Sequence, residues 1–253
     1  MTTEDKRAVR RIKSARDSST VIYRHLREAI LSGELKAGAP VAQLQIAREF
    51  GTSRGPVREA LNRCMQEGLV VARKNQRMLV AELNVQELET LFSSLLLNTS
   101  FALRWGVPRY SEEDFATMEA YNAQLKGNHE TPGPWESANR ALIMRMSDHA
   151  GGRVRSVVTH LLGHIERYRR SLLADRLPIE YDLTYDGVLH AARARDADLA
   201  TTRYVQVAGE YALSLLADVD EREPTMLRQY IEWLSLPAEE MPLITAKLAP
   251  QQI

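Results

Sequence analysis

Short apolar stripes, separated by breaks at glycine and proline, organise the first eighty residues of the chain. From Thr20 to Leu31, apolar residues recur at spacings of three and four, which predicts an amphipathic helix. Gly33 and the sequence KAGAP end that helix, and a second, shorter helix is predicted over about residues 42–49. Gly51 closes the second helix at a tight turn, where a residue that tolerates positive φ is useful.

A third amphipathic helix is predicted directly after this turn, within the sequence TSRGPVREALNRCMQEGLV of residues 52–70. Ser53 is a suitable N-cap, and Pro56 suits the first turn because its missing N–H costs nothing there. The apolar side, which we expect to face inward, carries Val57, Ala60, Leu61, Cys64 and Met65. The opposite side carries Arg54, Arg58 and Asn62, with Arg63 on its flank. Cys64 is therefore expected to be a buried thiol.

The segment LVVARKNQRMLVAEL follows Gly68 and predicts two short strands around the basic tip RKNQR. Helix, helix, turn, helix and β-hairpin in this order predict a winged helix-turn-helix. Residues 18–83 are the predicted extent of that domain. Residues 1–17, rich in lysine and arginine with few apolar residues, are predicted to form a flexible basic arm.

Beyond Glu82 the pattern is helical throughout. Asn84 and Ser111 are each followed three residues later by an acidic residue, which is the capping-box pattern of a helix start. Further helices are predicted over about residues 135–149, 152–173, 178–194, 196–219 and 224–235. Because no strand alternation and no internal repeat occur there, we expect residues 84–236 to form an all-α bundle, with a tail at 237–253. The fold class is therefore mostly α.

Charge divides the 253-residue chain in the same place, although its formal net charge is zero. Residues 1–80 hold 16 basic and 8 acidic residues, whereas the remainder holds 17 basic and 25 acidic residues. This split favours a basic module that meets a polyanion, and charge alone leaves nucleic acid and anionic membrane both open. The apolar runs are too short to span a membrane, the N-terminus has no apolar signal core, and a single cysteine favours a reducing cytoplasm.

The helix-turn-helix region strongly resembles the GntR family of bacterial transcription regulators. The resemblance rests on VIYRHLREAILSGELKAGAPV followed by IAREFGTSRGPVREALNRCMQEGLV. The all-α region resembles the effector-binding and dimerisation domain of the FadR subfamily, supported by the weaker motif HAARARDADLA. The resemblance implies a homodimer that binds double-stranded DNA at a palindromic operator. It also implies a small-molecule effector that changes DNA affinity, and we expect a repressor.

The family pattern assigns DNA contacts to the start of the third helix and to the wing. Arginine can bond guanine O6 and N7 together, and a helix N-terminus can hold a phosphate. The expected DNA-contacting residues are Ser53, Arg54, Gly55, Arg58, Lys74 and Arg77. Arg77 stands where the family usually has glycine, so it either adds a contact or changes the shape of the wing. Arg63 is expected to be solvated rather than to contact DNA.

Many members of the FadR subfamily hold a metal in the helical domain, and this chain departs from their pattern. Alignment to the metal-binding motif places Asn139, Ile143, Tyr185 and Val207 at the four ligand positions. Asparagine is a poor ligand for transition metals, and isoleucine and valine are none. Phe92 and Leu96 stand where the subfamily commonly shows arginine and glutamate. We therefore expect no metal and no cofactor, and a pocket that accepts an apolar or acyl-type effector.

Two alternatives to the apolar-effector hypothesis remain open at this point. Side chains could fill the cavity, which would leave an effector-independent regulator or an architectural DNA-binding protein. His160 and His164, one helical turn apart, could both point inward with Val157 and Tyr168. We expect a hydrogen-bonded histidine pair in the interior or at an interface, and the alternatives are that the pair orients a ligand oxygen or clamps a metal with an acidic partner nearby. An enzyme is not expected, because the chain has no phosphate-binding loop, dinucleotide fingerprint or nucleophile elbow.

Overall fold

The computed structural model of the protein describes residues 15–73, 77–127, 132–172, 184–219 and 224–236. The structure is mostly helical with one small antiparallel sheet, and the predicted fold class is confirmed. The described residues divide into two compact units. The first contains the residues up to Asn84 together with those from Glu166 to Leu172, and the second contains Val85–Ile165 and the described residues from 184 onward.

The first unit is a three-helix arrangement with a three-stranded sheet. Its elements are α1 (Ala15–Leu31), β1 (Pro40–Val41), α2 (Gln43–Glu49), α3 (Arg54–Gln66), β2 (Val70–Arg73) and β3 (Arg77–Val80). The strand order is β1–β3–β2, and both pairs are antiparallel. Leu79 of β3 lies opposite Pro40 on one side and Val71 on the other. These elements are those of a winged helix-turn-helix.

The sequence-based boundaries of this unit need two corrections. Helix α1 already includes Ala15, so the last three residues of the predicted arm are helical, and residues 1–14 lie outside the described residues. Strand β1 was not predicted, because two residues are too short for alternation to show. Backbone hydrogen bonds around Val80 hold that segment: Gly38 N–H donates to the Val80 carbonyl and Val80 N–H donates to Ala39.

Helices α1 and α3 build the core of the first unit. Ile22, Leu26 and Ile30 of α1, each at most 3% exposed, belong to one buried cluster with Val57 and Leu61 of α3. Removing such a side chain from water stabilises the fold by about 1.5–3 kcal/mol. Cys64 is 0% exposed, as predicted, and burial raises the pKa of its thiol to about 11. Packing of these residues fixes which side of α3 remains exposed.

The described residues of the second unit form helices joined by short non-helical segments, and none of them lies in a strand. Its α-helices are α4 (Val85–Gly106), α5 (Glu112–Gly127), α6 (Pro132–Met146), α7 (Gly152–Leu172), α8 (Asp186–Arg193), α9 (Ala197–Ala217) and α10 (Thr225–Leu234). Of α7, only the part up to Ile165 belongs to this unit. Short 3-10 turns follow α4 and α6. Helix α4 packs against α9 and α10, and α5 packs against α6. Of the predicted helix at 178–194, residues 178–183 lie outside the described residues. Thr184 and Tyr185 are not helical, and α8 begins at Asp186.

Asp114 joins the start of α5 to the end of α6 through a charged network. As the predicted capping box requires, it accepts hydrogen bonds from the Ser111 N–H and hydroxyl at 2.7 and 2.8 Å. Arg145 lies 2.8 Å from its other oxygen, and His149 Nε2 lies at 3.1 Å. Burial by itself raises the pKa of Asp114, but the bonds from Ser111 and His149 and the charge of Arg145 outweigh it, so the pKa lies below its usual value.

Candidate nucleic-acid interface and buried polar site

A glycine turn and a buried apolar face position α3. Gly51 adopts φ +58°, a conformation that favours glycine, and Thr52 N–H donates to the Ala47 carbonyl across the turn. Ser53 is the N-cap residue, with extended backbone, as predicted. Its side chain makes no capping hydrogen bond, so the hydroxyl stays exposed at the helix start.

The side of α3 opposite its buried face carries the two arginines of the sequence prediction. Arg54 and Arg58 are exposed, and in the described part of the chain neither guanidinium has a hydrogen-bonding or charged partner. Gly55 and Ser53 are exposed beside them. The N-terminus of α3 adds unpaired backbone N–H groups and a positive helix dipole. These groups together form an exposed surface that can bind phosphate and hydrogen-bond acceptors on bases.

Arg63, three residues before the end of α3, contacts its own unit. Its guanidinium lies over the Tyr23 ring, 3.8 Å from the centroid, and donates to Thr20 at 3.4 Å. The Tyr23 hydroxyl donates to Glu67, which also pairs with Arg27 at 3.0 Å. Burial and the bond to Glu67 raise the pKa of Tyr23 to about 12. This cluster ties α1 to the end of α3, so Arg63 has a structural role instead of the solvated one expected.

The two wing residues of the prediction stay predictions. Lys74 lies outside the described residues, and only the backbone of Arg77 is described, at the start of β3. Below the wing tip, Arg73 pairs with Glu82 at 2.7 Å on the exposed surface. Exposed ion pairs of this kind contribute little to stability.

In the second unit, most of the predicted effector residues lie in the interior. Phe92, Leu96, Ile143 and Tyr185 are each at most 3% exposed, whereas Asn139 and Val207 are half-buried. The Tyr185 hydroxyl donates to Asn139 Oδ1 at 3.0 Å, so two of the four aligned metal-ligand positions are in direct contact.

Aromatic rings and hydroxyl groups surround this pair. Tyr185 stacks on Tyr204 with 6.2 Å between ring centroids, and Tyr211 has edge contacts with Phe92 at 6.2 Å. The hydroxyls of Tyr204, Thr99 and Ser100 are buried and make no hydrogen bond within the described residues. Burial raises the pKa of the Tyr204 hydroxyl, and the neighbouring Thr99 side chain, which lies outside hydrogen-bond geometry, acts in the opposite direction. Sequence reasoning missed Thr99 and Tyr204, because buried threonine and tyrosine follow no distinctive pattern.

The histidine pair of α7 is partly where the pattern placed it. His164 is 5% exposed and His160 is half-buried, with 4.7 Å between their ring centroids. Val157, expected on the same inward face, is instead 44% exposed, because most residues from Gly152 to Val157 at the start of α7 are exposed. Among the described residues, no group of three or more histidine, cysteine or acidic side chains could hold a metal ion.

Comparisons with known proteins now decide the family of the N-terminal region. Residues 18–80 match the gntR family of bacterial regulatory proteins. This region of the chain is therefore a helix-turn-helix domain of the GntR type. Within the described residues, no helix has both the length and the apolar character needed to cross a membrane.

Relatives and a solved structure extend the similarity beyond this domain. An uncharacterised HTH-type transcriptional regulator in an unstable DNA locus of Streptomyces ambofaciens is 27% identical over 197 residues, covering 72% of this chain and 78% of the relative. The uncharacterised HTH-type transcriptional regulator YdhC of Bacillus subtilis (strain 168) is 25% identical over 97 residues. That match covers 38% of this chain and less than half of YdhC, 43%. E. coli McbR/YncC shares the fold, with a TM-score of 0.63 at 19% identity over 79% of this chain and 97% of that chain.

Proposed function

We propose that this GntR-family protein is a cytoplasmic transcription repressor that binds a palindromic operator as a homodimer. A small, neutral and largely apolar effector in the second unit, bound without metal, controls its affinity for DNA. The observation that carries the DNA-binding part is the exposed start of α3, where Arg54 and Arg58 have no partner in the described residues beside an unobstructed Gly55.

Residue chemistry supports a DNA partner at this surface. A recognition helix enters the major groove with its N-terminal residues toward the bases, and each arginine can bind guanine through two hydrogen bonds. Gly55 lacks a side chain, so backbone can approach the nucleic acid closely at this point. This surface lies within residues 1–80, the part of the chain with an excess of basic residues, which favours a polyanionic partner.

The test replaces each arginine of α3 in turn. We expect Arg54→Ala and Arg58→Ala each to weaken operator binding by about ten- to hundred-fold, and both together to abolish it. Arg63→Ala is the matched control, because Arg63 lies on the same helix and contacts Tyr23 and Thr20 instead. Gel shifts of full-length protein on DNA selected from a random duplex library measure all four variants. Normal binding by the double variant would overturn the assignment of the recognition helix.

Specificity separates a regulator from an architectural protein. A regulator binds its selected site about a thousand-fold or more tightly than random DNA at physiological salt. An affinity ratio near one would favour the architectural alternative. In a reporter strain, the repressor proposal requires that loss of Arg58 raise transcription from the selected site, and lower transcription would indicate an activator.

An exposed apolar stripe on α4 supports a homodimer. Leu97, Phe101 and Trp105 recur every four residues and are 40%, 53% and 50% exposed. Large apolar side chains grouped on a surface are typical of sites that bind another protein. A palindromic operator requires two recognition helices related by a two-fold axis, with half-sites about 34 Å apart. We therefore assign the stripe to contact with a second copy of this chain.

The interior around Tyr185 supports a neutral effector. The Tyr185 hydroxyl already donates to Asn139, and the second and fourth aligned positions, Ile143 and Val207, offer no ligand atoms to a metal. The groups available nearby are uncharged hydroxyls at Thr99 and Tyr204, framed by aromatic rings. A buried carboxylate would need a positive partner, which makes a neutral ligand with one or two oxygen atoms the better match.

One observation favours the alternative of an effector-independent regulator. Phe92, Leu96 and Ile143 are at most 3% exposed, so side chains already occupy much of this interior. A thermal-shift screen decides between the two. Stabilisation by neutral ring or acyl compounds supports the proposal, stabilisation only by citrate with zinc overturns it, and no response to any compound favours the alternative.

The regulatory mechanism follows from the dimer requirement. An effector can change operator affinity only if it binds the DNA-competent and incompetent states with different affinity. A ligand that favours a dimer whose half-site spacing departs from about 34 Å releases DNA. Operator binding measured with and without the stabilising compound tests this coupling, and equal affinities would exclude it.

A further inference from the structure

The centre of the exposed face of α3 is occupied by Asn62, a residue that the arginine-based DNA surface does not use. Ala60 and Cys64, two residues to either side, are 0% exposed, and each lies about 200° from Asn62 around a helix of 3.6 residues per turn. Asn62 is exposed and, within the described residues, its carboxamide makes no hydrogen bond. Its neighbour Arg63 is tied to Tyr23.

Asn62 shares this direction with Gly55. The two residues are seven positions apart, or about two full turns, so they lie nearly on one line along the helix. Ser53, Gly55, Arg58, Glu59 and Asn62 line one shallow open depression on the surface. DNA that approaches the backbone closely at Gly55 therefore also comes within reach of the Asn62 carboxamide, about two turns further along α3.

We propose that Asn62 is a specificity-determining residue that reads an adenine in the operator half-site, which rests on the proposed role of α3 as a recognition helix. A carboxamide offers one acceptor and one donor side by side. Adenine presents the matching N6–H donor and N7 acceptor in the major groove. The guanine-reading arginines and Asn62 thus distinguish different bases along one helix.

The charge next to Asn62 favours a base over a phosphate. Glu59, one turn before Asn62, is exposed and, like Asn62, makes no contact with a cation in the described residues. Its carboxylate repels a phosphate close to Asn62, whereas neutral base edges carry no such penalty. Asn62 lies about 12 Å along the helix axis from Arg54, so we place its base roughly two to four base pairs from the one met by Arg54.

The experiment compares base preferences of full-length variants selected on a random duplex DNA library. Asn62→Ala should lose the adenine preference at one position of each half-site, keep the guanine preferences, and bind the wild-type site about five- to hundred-fold more weakly. Asn62→Asp should change that preference from adenine to cytosine, because a carboxylate accepts from cytosine N4. Gln66→Ala, exposed on the same side one turn further, is the control and should keep the wild-type profile.

The possible results separate this inference from the proposal beneath it. An Asn62→Ala profile identical to wild type, or an even weakening on all sequences, would overturn the reading of adenine. If Arg58→Ala still weakens binding by about ten- to hundred-fold in the same assay, the recognition helix stands and only the role of Asn62 fails. If Arg58→Ala also binds normally, the proposed function itself fails. Thermal melting of each variant checks that the fold is retained.

Discussion

The exposed side of α3 and the interior of the second unit both carry polar groups without a hydrogen bond in the described residues, but the two regions differ in what this costs. The Arg54 and Asn62 side chains are exposed, so water satisfies them in the free protein. The hydroxyls of Thr99 and Tyr204 are 0% exposed, and leaving such a group unsatisfied costs about 1–3 kcal/mol.

This difference separates binding from stability. A change on the exposed side of α3 should weaken the proposed contact with DNA and leave the free protein nearly unchanged. A change in the interior alters the folded protein itself and any ligand site together. Surface variants can therefore be interpreted from binding alone, whereas interior variants need a stability measurement beside every binding measurement.

Substitutions in the apolar stripe on α4 test whether the second unit also has a surface that acts only in binding. Phe101→Glu with Trp105→Glu should convert the dimer to a monomer and weaken self-association at least a hundred-fold, because an unpaired carboxylate buried at an interface costs several kcal/mol. Analytical ultracentrifugation measures this directly. Operator affinity should fall with it.

Val157→Glu is the matched control for the stripe. Val157 is 44% exposed on α7, away from the spacing of the stripe, and its replacement should leave the dimer intact. The melting temperature of Val157→Glu should stay near wild type because this side chain is already exposed, whereas that of the double variant should fall by the part that dimer formation contributes. A dimer that survives the double substitution would remove α4 from the interface.

Sequence reasoning predicted the helices of the first unit and the exposed side of α3, because both follow from a helix pattern. Once Val57, Leu61 and Cys64 are identified as inward, the exposed positions of Arg54 and Arg58 follow from 3.6 residues per turn. The role of Arg63 did not follow, because its ring partner Tyr23 lies 40 residues earlier in the chain. Spacing within a helix gives its faces, but contacts between distant helices depend on packing.

The second unit shows the same limit more strongly. Alignment placed Asn139 and Tyr185 at two of the four positions that carry metal ligands in the FadR subfamily. In the structure these two residues are joined by a hydrogen bond of 3.0 Å. No periodicity could have indicated that Tyr204 stacks on Tyr185 or that its hydroxyl is left without a partner. Such features depend on how four helices meet, and a single sequence carries no direct signal of it.

Asp114 extends the comparison to a buried group that is fully partnered. Its pKa lies below the usual value, so its ionised form stabilises the fold above the unfolded pKa of about 3.9, and this contribution is lost as pH falls through the folded pKa. Asp114→Asn should lower the free energy of unfolding at pH 7 by on the order of 1–3 kcal/mol. Urea unfolding between pH 7 and pH 3 measures the difference in the free energy of unfolding between wild type and Asp114→Asn. This difference should become smaller as the pH falls.

Glu113→Gln supplies the control for this pH dependence. Glu113 precedes Asp114 on α5 and is exposed, so its replacement should change stability by less than about 0.5 kcal/mol at every pH. A gap between Asp114→Asn and wild type that stays constant from pH 7 to pH 3 would show that the carboxylate charge is not the source of the stabilisation.

The stacked tyrosines give the smallest and sharpest test, because one hydroxyl is partnered and the other is not. Tyr185→Phe removes the hydrogen bond to Asn139 and should cost about 1 kcal/mol, whereas Tyr204→Phe should be neutral or slightly stabilising, since it removes a buried group without a partner. Urea unfolding of the two variants measures the difference in their free energies of unfolding.

With a stabilising neutral compound present, the order of the two variants should reverse for binding. Tyr204→Phe should lose more of the thermal shift than Tyr185→Phe, because the Tyr204 hydroxyl is the one left for a ligand. Equal thermal shifts in both variants would mean that water, and not an effector, satisfies the Tyr204 hydroxyl.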